Sequence, residues 1–455
     1  MRAACGARTW LERIGASATK RWTACGAPRR RRRATTTTRV DANANASASA
    51  SANADANGAR DVDPGREGDD GIARATRRAK VLVVTGPTAI GKSAVAIAMA
   101  RARRERRDAR EVEIVSCDSV QIYRGLDVGS GKVGARELEA CAHHMLSALD
   151  PRARDGSGEY DANAYYDEAV NVIDDIHRRG RDAVVVGGAG MYLKWLTDGK
   201  PSAPGSTPET REAAERAVGE ARARGGWREA VELLTRAGDA ETGKTLSEND
   251  WYRLTRAYEI VRTSGQSVKA FARENPEARF DFRCFFLSSP RVELYRKIDA
   301  RVEGMFVDGI MDEAAWLLNA GIAPGENVPA RSIGYRQAME YLAKARAKEI
   351  KVDDASLLEL VNDIQMLNRA YAKRQFTWFR GESRYAWINV DDDRDAVARR
   401  ILSEFDRDEH RAGGEEIGDL SKDELNLLKR YRPALTVLSD KRAVKRVLDS
   451  IRALV

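Results

Sequence analysis

The eight residues Gly86-Pro87-Thr88-Ala89-Ile90-Gly91-Lys92-Ser93 follow the pattern G-x-x-x-x-G-K-[ST], and the chemistry of that pattern is phosphate capture. Its glycines let backbone amides curl around phosphate oxygens, and a helix starting behind the loop adds its dipole and free N–H groups. The Lys92 ammonium would neutralise a terminal phosphate, and the Ser93 hydroxyl would hold Mg²⁺. The pattern says phosphate without saying which phosphate compound. A second candidate is Asp118, which ends the string Ser116-Cys117-Asp118. Its position admits three roles: a Mg²⁺ ligand, a general base, or a turn aspartate that caps nearby backbone.

The elements that would position these residues are legible in the apolar runs. Val81 to Val84 stops at Thr85-Gly86-Pro87, the pattern of a buried strand reaching a turn, and a helix carrying Ala94, Val95, Ile97, Ala98 and Ala100 should follow from Lys92. Two more apolar runs, Val112 to Val115 and Ala183 to Val186, end at Ser116-Cys117-Asp118 and Gly187-Gly188, with helical periodicity from Tyr165 to His177 between them. Strands alternating with helices imply an α/β P-loop core on a mostly parallel sheet. In such a sheet ligands bind at the carboxyl ends of the strands, so the loop and Asp118 should face one crevice.

The core is expected over 79–206 and is completed in 279–390, where Phe285-Phe286-Leu287 restores an apolar run. Residues 207–278 read as a charged helical insertion. Helices are expected at Leu294 to Phe306, Met311 to Leu318, Gln337 to Ala347 and Leu357 to Phe379, a helical C-terminal region. The charged extension 391–455 carries no chemical signal beyond a helix at its end.

Composition narrows the function class. A chain of 455 residues with 43% hydrophobic content can fill one large or two modest cores. No stretch reaches the roughly 18 consecutive apolar residues of a membrane span, so no membrane partner is expected. The five cysteines, Cys5, Cys25, Cys117, Cys141 and Cys284, form no C-x-x-C pair, which argues against a zinc cluster or a disulfide framework and for a reducing compartment. The net charge of +8 is unevenly placed. Up to Val40 there are eleven basic residues against the single acid Glu12, leaving 66 basic and 68 acidic residues beyond it. Any grip on RNA must therefore come from local patches. The basic, acid-poor start and the Ala/Asn/Ser run at 41–58 read as an organelle transit peptide and spacer over 1–78. The chloroplast is placed ahead of the mitochondrion. The alternatives are a basic tail that binds nucleic acid and a cytoplasmic protein.

The string from Asp118 through Ser119, Val120 and Gln121 to Lys132 resembles the D-S-x-Q-x-Y-x-G-x-D-I-G-T-A-K segment of the tRNA dimethylallyltransferase (tRNA isopentenyltransferase) family, and the Gly86-Pro87-Thr88-Ala89 opening resembles that family's P-loop. The likeness continues through His143-His144 to Asp150-Pro151, Gly187-Gly188-Ala189-Gly190-Met191-Tyr192, Asn249-Asp250 to Arg256, Arg331 to Arg336, and Ala372-Lys373-Arg374-Gln375 to Trp378-Phe379-Arg380. It spans about residues 80 to 390.

The resemblance implies transfer of a dimethylallyl group from dimethylallyl diphosphate to the exocyclic N6 amine of the adenosine just 3′ of the anticodon. Such modified tRNA is a source of cytokinin-type nucleosides. It implies Asp118 as general base, Thr88 assisting at the diphosphate, and Arg301 helping to neutralise it, with Gly86 to Ser93 gripping the diphosphate and Ser93 holding Mg²⁺. Contacts to the tRNA anticodon stem-loop are implied for Asp118, Ser119, Val120, Gln121, Ala189, Arg211, Tyr252, Arg253, Arg256, Arg331 and Arg336. A stacked base must be splayed out to reach a buried carboxylate. No stable protein partner is inferred.

Family members commonly carry Thr where Ala189 stands and Gln where Tyr252 stands, which alters donor and tRNA contacts rather than the reaction. His143-His144 suggests a metal site, but its surroundings favour packing. Arg369, Lys373, Arg374, Arg380 and Arg384 with Trp378 and Phe379 suit RNA by charge and stacking, or form a solvated helix face. Three rival functions share parts of the pattern: an isopentenyltransferase for free adenine nucleotides, a P-loop kinase or NTPase, and a catalytically idle RNA-binding protein.

Overall fold

The computed structural model describes residues 78–106, 108–153, 160–271, 279–390, 393–408 and 421–455. The expected transit peptide and spacer, apart from Arg78, and the last residues of the expected insertion lie outside them.

Six strands, β1 (Ala79–Thr85), β2 (Val112–Cys117), β3 (His143–His144), β4 (Asp182–Gly187), β5 (Phe280–Ser288) and β6 (Tyr385–Asn389), form one sheet in the order β3-β2-β4-β1-β5-β6. Every pairing is parallel. The central strands are near-continuous apolar runs because helices cover both faces of a parallel sheet. Val81 to Val84 is fully buried, in register with Ala183 to Val186 on one side and Phe282 to Phe285 on the other.

Helices α1 (Lys92–Glu105), α2 (Ala135–Ala140), α3 (Ala162–Arg178) and α4 (Gly190–Asp198) belong to the first part of the core. The Asp161 carboxylate caps α3 by accepting from the Asn163 and Ala164 amides, and the helix turns Tyr165, Ala169, Ile173 and Ile176 inward at helical spacing. The insertion contains α5 (Pro208–Ala237), α6 (Ala240–Thr245) and α7 (Trp251–Ser264). It has small apolar clusters of its own, Val218, Ala221, Ala230 and Leu254, then Leu234, Ala257 and Val261. Helix α5 is interrupted at Gly225 and Gly226, whose backbone angles are not helical. The second half of the chain supplies α8 (Arg291–Asp308), α9 (Ile310–Asn319), α10 (Val328–Arg331), α11 (Tyr335–Arg346), α12 (Asp354–Arg380), α13 (Arg394–Asp406), α14 (Lys422–Arg430) and α15 (Lys441–Leu454). No helix among the described residues is long and apolar enough to cross a membrane.

Three local features lie outside the expectations above. Strand β5 starts at Phe280, before its apolar run, because the Asp281–Arg283 ion pair, 2.6 Å, satisfies two charges on the strand. Strand β6 lies beyond the expected helix ending at Phe379, where no strand is expected; it joins the sheet beside β5. His143-His144 forms the edge strand β3, and His144 Nε2 lies 2.6 Å from Glu113 Oε2. Burial would raise the Glu113 carboxyl, but bonds from Arg179, His144 and Arg181 hold it at about 2. No cluster of His, Cys, Asp or Glu suited to a metal occurs among the described residues.

Candidate active site

Strand β1 delivers the chain to the loop 86–91, and α1 begins at Lys92 directly behind it. Gly91 has φ +98°, a left-handed conformation that turns the loop into the helix. The first turn of α1 contains no acidic residue and Gly91 offers no side-chain cap, so its leading N–H groups face the loop uncapped. Lys92 folds back over the loop, donating to the carbonyls of Gly86 and Pro87 at 3.0 Å each. Burial, then the neighbouring charge of Arg301, brings its pKa down to about 8, and Asp118 opposes the shift.

Gln375 of α12 ties this loop to the end of β4. Its Oε1 accepts from the Thr88 amide at 2.9 Å and its Nε2 donates to the Gly188 carbonyl at 3.1 Å. One turn earlier on the same helix face, the Tyr371 hydroxyl reaches the Gly188 carbonyl at 3.4 Å. Burial and the Asp118 charge hold the Tyr371 phenol above its ordinary range, so it is a neutral donor beside the carboxylate.

Asp118 follows β2, at the same edge of the sheet. Its Oδ1 accepts from the amides of Val120, 2.8 Å, and Gln121, 3.2 Å, forming a side-chain turn. Its Oδ2 has no hydrogen bond among the described residues. One oxygen is thus anchored while the other remains available to a proton or a cation. Gln121 is itself held, with Nε2 donating to the Ser130 carbonyl at 3.2 Å and Oε1 accepting from the Ser116 hydroxyl at 3.4 Å.

Arg301 enters from α8. Its Nη1 lies 3.3 Å from Thr88 Oγ1 and its Nη2 3.4 Å from the Ser130 carbonyl. Burial lowers its pKa and the charge of Asp118 opposes this, but a guanidinium remains charged. Two cations, Lys92 and Arg301, therefore face one carboxylate. Arg301 also lines a cavity of about 560 Å³ with Val128, Lys132, Val133, Leu138 and Met305. Of Thr88, Lys92, Asp118, Gln121 and Arg301, Arg301 alone lines that cavity.

The loop that receives Arg301 is held by a residue without a motif. Glu313 of α9 accepts from the amides of Asp127, Val128 and Gly129 at 2.7, 2.8 and 3.0 Å and from the Tyr335 hydroxyl at 2.6 Å. Tyr335, inside the Arg331 to Arg336 string, is fully buried.

The structure gathers Thr88, Lys92, Asp118, Gln121 and Arg301, but not every residue expected to meet RNA is free. Tyr252 is 83% exposed, and Arg211 is exposed at the start of α5. Arg253 lies 3.4 Å from Asp250, and Arg336 pairs with Glu340 at 2.9 Å, both exposed. Arg256 instead pairs at 2.6 Å with the buried Glu259 and donates to the Pro204 carbonyl, linking the insertion to the chain that enters it. Arg331 is exposed, and Ala189 caps α4 beside the Gly187-Gly188 turn. Among the aromatics considered for stacking, Phe379 is buried against Phe286 and Tyr385 and presents no face to a base. Arg369 is engaged by Asp299.

The Ser93 hydroxyl, in the first turn of α1, has no side-chain hydrogen bond among the described residues. That hydroxyl, beside the phosphate loop, is the group that would hold a Mg²⁺ keeping most of its waters.

A family model described as IPP transferase matches residues 121–382. The chain is 37% identical to tRNA dimethylallyltransferase 9 of Arabidopsis thaliana, over 79% of this chain and 83% of that one. It is 34% identical to the tRNA dimethylallyltransferase of Protochlamydia amoebophila, over 72% of this chain and 89% of the relative. A solved eukaryotic dimethylallyltransferase acting on tRNA shares the fold, with a TM-score of 0.56 and 23% identity over 77% of this chain and 84% of that one. Relatives matched over most of their length, together with a family model spanning more than half of this chain, show that the chain belongs to the tRNA dimethylallyltransferase (IPP transferase) family of transferases.

Proposed function

We propose that this chain transfers the dimethylallyl group of dimethylallyl diphosphate to the N6 amine of the adenosine 3′-adjacent to the anticodon in tRNA. The observation that carries the reading is the convergence of the P-loop, Arg301 and the half-anchored carboxylate of Asp118 on one edge of the sheet.

In this reading the donor's diphosphate lies in the loop 86–93, against the uncapped amides that lead α1, Lys92 and Arg301. The adenine nitrogen attacks the first allyl carbon, the carbon–oxygen bond to diphosphate breaks, and the diphosphate leaves with the electron pair. An adenine amine is nucleophilic only as its proton departs, and Asp118 Oδ2 accepts that proton. Charge grows on the leaving oxygens as the bond breaks, so Lys92 and Arg301 stabilise the transition state more than the ground state. Mg²⁺ held by Ser93 would add charge neutralisation at the diphosphate. Asp118 Oδ1 stays in its turn with Val120 and Gln121, which fixes Oδ2 in the crevice. The exposed Tyr252, Arg253, Arg331 and Arg336 and the helical insertion would receive the anticodon stem-loop. The basic, acid-poor N-terminus supports import into an organelle, the chloroplast first.

The test is incubation with labelled dimethylallyl diphosphate and either unmodified tRNA or AMP, followed by nucleoside analysis. N6-dimethylallyladenosine at the position beside the anticodon is the expected product. Label in AMP alone, or turnover of ATP without transfer, would refute the reading.

A further inference from the structure

The residues beyond the family-matched part return to the back of the helix that carries Arg301. On α8, Asp299 and Glu303 are one turn apart, and Arg301 between them is rotated by roughly 200° from each at 100° per residue. Arg301 therefore points to the P-loop while the two acids point the other way. Both acids are buried, Asp299 at 1% and Glu303 at 0% exposure. Their partners come largely from the C-terminal segment. Glu303 Oε2 accepts from the amides of Thr436 and Leu438 at 2.9 and 2.8 Å, and its Oε1 is 3.3 Å from the Thr436 hydroxyl. Asp299 Oδ2 accepts from the Tyr431 hydroxyl at 2.6 Å, and Oδ1 pairs with Arg369. The Tyr431 ring packs edge-on against Tyr295 of the same helix. Helix α15 then closes over the core with Ala443, Val444, Val447, Leu448 and Ile451.

By contrast, Arg301's own contacts at the site are long, 3.3 and 3.4 Å. Its placement depends on where α8 sits more than on what its guanidinium touches. A buried carboxylate satisfied by backbone amides is costly to separate from them, so the rear contacts fix the helix more firmly than the front ones.

We propose that residues 421–455 are a brace for the transferase site, holding α8 from behind through Tyr431–Asp299 and Thr436/Leu438–Glu303 so that Arg301 meets the diphosphate. Tyr431 and Glu303 are positioning residues, and the inference rests on Arg301 acting at the donor as proposed above.

The test is a double-mutant cycle in the full-length chain. Tyr431→Phe and Glu303→Gln are each made in the native and the Arg301→Ala backgrounds, with single-turnover rates, donor and tRNA affinities and thermal midpoints measured. Arg301→Ala alone should slow transfer strongly; if it does not, the role of Arg301 falls, and the brace with it, whatever the other variants do. With that role intact, each rear variant should slow transfer about tenfold, because small misplacements of a catalytic group are expensive, and leave tRNA affinity unchanged. In the Arg301→Ala background the same variants should change the rate less than about twofold, because the group they position is gone. An equal loss in both backgrounds, or a midpoint shift with no rate change, would overturn the brace. Tyr431→Phe removes only a hydroxyl, so it keeps the test informative if Glu303→Gln fails to fold.

Discussion

The side-chain amide of Gln375 donates to the carbonyl of Gly188 at 3.1 Å and fills the space that a β-carbon on Gly188 would enter, 2.5 Å from its nitrogen. Because the same carboxamide accepts from the Thr88 amide, it couples the P-loop to the end of β4. Gln375→Ala is expected to lower transfer by about 10²-fold through a misplaced loop. Single-turnover rates check this, and an unchanged rate would remove the coupling.

Asp118→Asn keeps an acceptor oxygen for the Val120 and Gln121 amides but loses the basic lone pairs. Turnover should fall by about 10²–10⁴-fold, the usual contribution of a general base, with donor and tRNA affinities little altered. If Asp118 acts instead as a Mg²⁺ ligand, donor binding weakens and excess Mg²⁺ restores it. A Mg²⁺ titration of rate and donor affinity separates the two.

The buried ammonium of Lys92 gives donor capture a pH limit. Its pKa near 8 keeps it charged below that pH and neutral above it. Donor affinity of the free protein should therefore fall as pH rises through about 8. Lys92→Arg, always charged, should flatten that decline. Lys92→Ala should weaken donor binding at every pH and leave tRNA affinity nearly unchanged. Calorimetric titration with dimethylallyl diphosphate from pH 6 to 9.5 reads both effects.

Tyr335→Phe removes one donor from the Glu313 carboxylate that holds residues 127–129. A hydrogen bond to a charged acceptor contributes about 1.5–3 kcal/mol, and chemical denaturation should show a loss of that size. Transfer should also slow, because the loop presents the Ser130 carbonyl to both Gln121 and Arg301.

A fluorescent reporter fused behind residues 1–78 should be imported into an organelle and trimmed between about Val40 and Arg78. Diffuse cytosolic signal would refute the targeting reading.

The strands that end in the motifs were legible because each apolar run stops at residues with a chemical signature: Val81 to Val84 at the loop, Val112 to Val115 at Asp118, Ala183 to Val186 at Gly187-Gly188. β6 was not, since Tyr385 to Asn389 is a short edge strand whose half-buried pattern resembles the end of the preceding helix. The Arg374-Gln375 string was visible, but the two hydrogen bonds of Gln375 depend on helix α12 crossing the sheet edge, which local sequence does not encode. Glu313 had no signal, being one acid among many until the fold brings three amides to it. The C-terminal segment hid its role for a related reason: the single apolar face of α15 predicts a packed helix but not what it packs on, and the partners of Glu303 are backbone amides, which carry no residue code.

The hydrogen bond from the Thr88 amide to Gln375 joins residues 287 positions apart, and the Arg301–Thr88 contact joins residues 213 apart. Long-range closure of this kind is entropically late. A ribosome that has exposed the P-loop and its helix has made a phosphate loop without its clamp. A nascent chain stopped before residue 375 should therefore be unable to retain diphosphate, even with β1 and α1 formed. Donor competence then arises only once synthesis has passed Gln375, and a chain that ends earlier carries the phosphate loop without its clamp.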